Sequence, residues 1–164
     1  MKAMEINKDV DSEGEEERRV GGVDLYRDTF VRYVGYANEV GEALRPVYPK
    51  VVRPSYGMAF GYVVADTLDK VGKKRADQAP MEDVVRSGVD CLLWQTLASV
   101  LIPGKVINVV TAGSAKALAK SSAAPLLKKW GPTVVGLATI PLIIHPIDTA
   151  VDCLFDNTLR RWWK

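Results

Sequence analysis

The chain has 164 residues, 26% of them charged and 48% hydrophobic, with a formal charge of +2. That length predicts one domain, and the composition excludes a wholly disordered chain. Two cysteines exclude a disulfide-built scaffold, one histidine excludes a multi-histidine metal centre, and so small a charge leaves no footprint for nucleic acid. The mean hydropathy of −0.01 then requires apolar stretches to alternate with charged ones.

Residues 1–22 carry a net charge of −3 and few large apolar side chains, so they read as a disordered acidic head. Their polarity is wrong for an Arg-rich import peptide. Residues 24–45 read as an amphipathic helix, with Tyr26, Phe30, Tyr33, Ala37, Val40 and Leu44 on its apolar face. Asp24 suits its N-cap and Pro46 its end. Three uncharged runs follow: Pro54–Ala65, Cys91–Gly104 and Trp130–Ile147. They are the cores of apolar segments at about 46–65, 84–104 and 130–147. Between them lie a charged connector (70–83) and a loop (105–129). Residues 146–163 read as a second amphipathic helix. Its apolar side holds Ile147, Val151, Leu154, Phe155, Leu159 and Trp162, and its acidic stripe holds Asp148, Asp152 and Asp156.

The fold class read from this pattern is all-α. A spanning helix needs about 20 apolar residues. The uncharged runs of 12, 14 and 18 residues cover roughly 18, 21 and 27 Å. Two are short unless flanking cations snorkel. Run length therefore leaves two architectures open: a three-span membrane bundle with interfacial helices at both ends, or a soluble helical bundle. Gly57, Gly61 and Ala65 recur every four residues, a stripe that suits close helix packing in lipid, between copies or within one chain. Basic residues divide evenly between the two sides of the spans and leave the orientation open.

Motifs for chemistry are few. The chain has no phosphate-cradling glycine loop, nucleophile elbow or paired metal-binding histidines. An enzyme is not expected, nor a cofactor or metal. Asp90, His145, Asp148 and Asp152 lie within or beside apolar segments, where an ionisable residue raises the question of a proton path or partner contact. Cys91 and Cys153 stand apart and read as structural thiols. Lys73, Lys74 and Arg75 suit either anionic lipid headgroups or a solvated linker. Trp162 and Trp163 beside Arg160 and Arg161 suit an interfacial anchor.

Four peptides are familiar in this order: DLYRDTFVRYVGYANEVGEALRP (24–46), SYGMAFGYVVADTLDK (55–70), WQTLASVLIPGKVIN (94–108) and GLATIPLIIHPIDTAVD (136–152). They resemble the signatures of the 18-kDa mitochondrial protein family. The resemblance implies an integral, multi-pass protein of the mitochondrial inner membrane that promotes mitochondrial fission, with no catalytic residues to carry over. The expected partners are the lipid bilayer, other inner-membrane proteins and a second copy of the chain, but no nucleic acid. Two further functions stay open on the residues alone: modulation of a carrier or proton leak, and a soluble helical interaction domain.

Overall fold

The structure, a computed structural model, describes residues 32–163. The acidic head and the expected start of the first helix, with Asp24, Tyr26 and Phe30, lie outside the described residues. All regular structure within them is helical. Two short helices come first, α1 (Arg32–Gly35) and α2 (Ala37–Leu44). A 3₁₀ turn at Pro49–Val51 leads into α3 (Val52–Ala76). Next come α4 (Met81–Gln95), a π-helical stretch (Thr96–Leu101) and α5 (Ile102–Lys120), which run on without a break. The chain ends in α6 (Pro125–Asn157) and the single turn α7 (Leu159–Trp162).

Three boundaries differ from the sequence reading, each for a local reason. The charged connector is helical as far as Ala76, where Gln78 takes a left-handed φ of 56°. The Ala79 N–H bonds the Lys74 carbonyl and the Gln78 N–H bonds that of Arg75. This closes the helix as glycine usually does, and Pro80 follows. The expected loop at 105–129 is instead α5, in which alanines and lysines favour helix, and only Ser121–Ala124 turn the chain. The apolar run 130–147 and the expected final helix are one 33-residue helix passing through Pro132, Pro141 and Pro146. Such prolines are better tolerated where neighbouring helices support the freed backbone.

The π-helical stretch has a cause in sequence. Pro103 has no N–H to offer and its ring crowds the carbonyl four residues before it. Widening the preceding turn relieves this, and the Ile102 N–H accordingly bonds Leu97, five residues back. The Val100 carbonyl accepts a 3.0 Å bond from Asn38 Nδ2, tying α2 to this turn.

The α4–α5 rod lies between α3 and α6, with α2 filling the angle between α3, α5 and α6. Close approach is made at small residues. A Cβ on Gly41 would collide with Ser55, and one on Gly136 would lie 2.5 Å from Thr111 and 3.0 Å from the Ala43 Cβ. Gly57 and Gly61 face open space, with nothing within 4 Å. Within the chain, the packing expected of them therefore falls to Gly41 and Gly136. One apolar cluster joins Ala43, Ile107 and Ile140, and a second joins Ala98, Val151 and Phe155.

Candidate functional site: a polar interior within an apolar surface

Helix α2 faces the opposite way from the sequence reading. Tyr33 and Val40 are exposed, while Asn38, Glu39, Gly41, Glu42 and Ala43 are buried. The apolar stripe is real, but it points outward. The same inversion runs through the bundle. Asp66, Gln95, Thr111 and Thr133 are buried, whereas Met58, Phe60, Leu92, Leu101, Val134 and Leu142 are exposed. Two helical stretches, Met81–Lys120 and Pro125–Trp162, are long and apolar enough to cross a membrane. A soluble core helix buries most of its apolar length, but these bury 33% and 17% of it. The first of the three expected apolar segments is not among these candidates: it belongs to a helix that carries Arg53, Asp66, Asp69 and four further bases.

The interior carries two polar networks. In the first, Arg45 donates two 2.7 Å bonds to the buried Glu42 carboxylate, and Asn108 Nδ2 donates a third at 2.8 Å. Burial raises the Glu42 pKa, but the hydrogen bonds from Arg45 and Asn108 outweigh it and hold the carboxyl below its usual range. Its neighbour Glu39 is 1% exposed, and its Oε2 is without a hydrogen-bond partner. Burial pushes the Glu39 carboxyl up to about 8, and the negative charge of Asp148 adds to the shift. Glu39 is thus a neutral acid at pH 7.

In the second network the fully buried Asp66 Oδ2 accepts from Gln95 Nε2 at 2.6 Å and from Lys70 Nζ at 2.9 Å. The Cys91 thiol donates to the same oxygen at 3.5 Å. Ser99 Oγ holds Gln95 in place through Oε1, at 2.6 Å. This arrangement stores a carboxylate inside an apolar bundle by surrounding it with donors.

The residues singled out in the sequence separate. Asp90 receives a two-pronged contact from Arg160, both bonds at 2.9 Å. Asp152 accepts from Trp94 Nε1 at 2.9 Å and from the same arginine at 3.2 Å. Asp148 influences Glu39, and His145 is exposed. His145, Asp148 and Asp152 therefore serve different surroundings, and the described residues contain no group of three ligands placed to hold a metal. Ala65 is half-buried at the end of the open glycine face. Trp162 is 88% exposed, and the Trp163 carbonyl accepts from Arg86 at 3.1 Å. Cys91 is buried and Cys153 exposed.

Sequence reasoning missed Asn38, Glu39, Glu42, Asp66 and Gln95. Their signal was faint but present. Glu39 and Glu42 lie three apart and therefore share a helix face. Gln95 and Ser99, four apart, are polar groups within an uncharged run. Arg160 was read only as part of an interfacial anchor, although it collects Asp90, Asp152 and Asp156.

A family model described as Mitochondrial 18 KDa protein matches residues 26–80 and 68–155. Mitochondrial fission process protein 1 of Homo sapiens is 53% identical over 146 residues, covering 84% of this chain and 87% of the relative. The proteins of that name from Danio rerio and Caenorhabditis elegans are each 48% identical, covering 87% and 84% of this chain and 90% and 87% of their own lengths. No solved structure matches. With this identity and coverage, the chain belongs to the Mitochondrial 18 KDa protein family.

Proposed function

We propose that this chain is an integral, multi-pass protein of the mitochondrial inner membrane that promotes mitochondrial fission without catalysing a reaction. The name borne by the relatives supports fission and the mitochondrion. The membrane reading is carried by one observation: the bundle buries carboxylates and amides while exposing leucine, valine and isoleucine along both candidate spans. In water this arrangement loses on both counts, because apolar surface stays wet and polar groups are desolvated. In lipid the apolar surface meets hydrocarbon, and the bundle interior is where polar groups can find partners.

The spans are Met81–Lys120 and Pro125–Trp162, with α3 beside them and the first residues outside the membrane. At about 1.5 Å per residue each stretch exceeds a bilayer core of about 30 Å, so its ends project beyond the lipid. Trp162 marks one interface. The protein acts by binding other inner-membrane proteins or a second copy, for which the open Gly57–Gly61–Ala65 face is available. Alkaline carbonate extraction with protease protection tests insertion, and imaging after depletion tests fission. The reading requires retention in the membrane pellet and an elongated network at unchanged respiration. Release into the soluble fraction contradicts it.

A second reading, modulation of a carrier or proton leak, has its own support in the buried Glu39 and Asp66, each with one oxygen lacking a hydrogen-bond partner. It requires that Glu39→Gln alter leak before any change of network shape.

A further inference from the structure

A groove of about 310 Å³ lies between α3 and α4 near the turn that joins them. Val71, Val85, Val89 and Leu92 form its walls, and Thr67 and Gly88 also line it. A Cβ on Gly88 would lie 2.8 Å from the Val71 side chain, so the two helices pack closely at this glycine. The Thr67 hydroxyl is committed to the Val63 carbonyl, at 2.8 Å. The exposed surface of the lining is wholly apolar, although Arg75 contributes to it. Arg75 therefore offers the groove its methylene stem, as snorkelling arginines do. Arg75 is the one charged residue in the lining, and Lys74 is exposed beside it.

The charges around the opening have settled partners or stand apart. Lys73 pairs with Asp69 at 2.7 Å, and Arg86 pairs with Glu82. Asp77 and Asp83 are exposed and do not line the groove. Among the described residues neither Lys74 nor Arg75 forms an ion pair. An apolar slot with a cation at its open end fits an amphiphile with an anionic head. Its volume is at the bottom of the ~300–1,000 Å³ range of ligand sites, enough for a segment of one chain rather than a whole lipid.

We propose that this groove binds one acyl chain of an anionic phospholipid, whose headgroup is held by Arg75 and Lys74. The proposal rests on the membrane reading above. Its location agrees with that reading, because the groove ends at Leu92, where the uncharged stretch of α4 begins. A headgroup at Arg75 then sits at the membrane boundary while its chain lies along α4. The site gives the protein a preference for regions of membrane rich in acidic lipid.

The test uses the full chain in nanodiscs of equal parts phosphatidylcholine and phosphatidylglycerol. After extraction in mild detergent, native mass spectrometry counts the lipid retained per chain. The natural chain retains phosphatidylglycerol in preference to phosphatidylcholine, by about fivefold for each cation engaged. Val85→Trp places an indole in the groove from an exposed position, and Val89→Trp does so one turn further along. Each enters the discs and loses the retained lipid. Arg75→Glu leaves the groove open but abolishes the preference. Retention without preference in the natural chain, or undiminished retention in both tryptophan variants, overturns the proposal while leaving the membrane reading intact. A chain that stays out of the discs overturns both.

Discussion

Two of the buried carboxyl groups, Glu39 and Asp66, are alike in exposure and opposite in surroundings. Asp66 has Lys70, Gln95 and Cys91 on one oxygen. Glu39 instead sits within the field of a second acid, Asp148. The first site keeps a charge inside the bundle by supplying donors, and the second keeps its acid by removing the charge. In the proposed membrane setting, interior polarity of either kind specifies which helices meet.

The largest effect is expected from breaking the Asp66 site. Lys70→Met leaves a buried carboxylate short of its cation, which costs about 3–5 kcal/mol. Unfolding in mixed detergent micelles reads the loss, and adding Asp66→Asn should recover much of it. If Lys70→Met is neutral, Asp66 does not hold a charge and the contrast with Glu39 fails. Next is the seam where α2 and α5 meet α6. Gly136→Val drives a branched side chain into Thr111 and Ala43, and overpacking of this kind costs about 1–3 kcal/mol. The same measurement on Gly61→Val should show little change, since that face is open.

Glu39 itself gives the pH signature. Its folded pKa of about 8 lies above the ordinary 4.5. The folded chain then holds a proton that the unfolded chain releases, so stability falls as pH rises from about 4.5 to about 8. Glu39→Gln removes this slope. At pH 8 it should exceed the natural chain in stability, with the gap closing toward pH 4.5. Parallel pH profiles of the two chains would contradict a neutral Glu39. The smallest effect lies at the turn beyond the Asp66 site. Gln78→Gly relieves a left-handed φ of 56° and should stabilise by about 0.5–1 kcal/mol, read as a small rise in melting temperature.

What the sequence revealed and what it concealed follow from how far each signal reaches. The all-helical class and both long apolar stretches are legible because composition and run length are local. The orientation of α2 is not. An amphipathic stripe has the same period whether it faces lipid or a core, and only the surrounding helices decide. Asn38 and Glu39 lie off that stripe and gave little sign of burial for that reason. The Asp66 site joins residues 25 and 29 apart in the chain, and no spacing announces such a pair. The continuity of α6 was hidden by Pro146, which normally marks a boundary. The resemblance supplied the family from whole peptides, but gave no sign of which polar groups point inward.

The central claim is that the apolar exterior faces lipid. Nitroxide labels at Leu92, Val134 and Leu142 in the reconstituted chain test it by their accessibility to oxygen and to a water-soluble nickel complex. The account requires labels rich in oxygen contact and shielded from nickel at all three positions, with a label at Trp162 near the crossover between the two. Free access of nickel to Leu92, Val134 and Leu142 would contradict it.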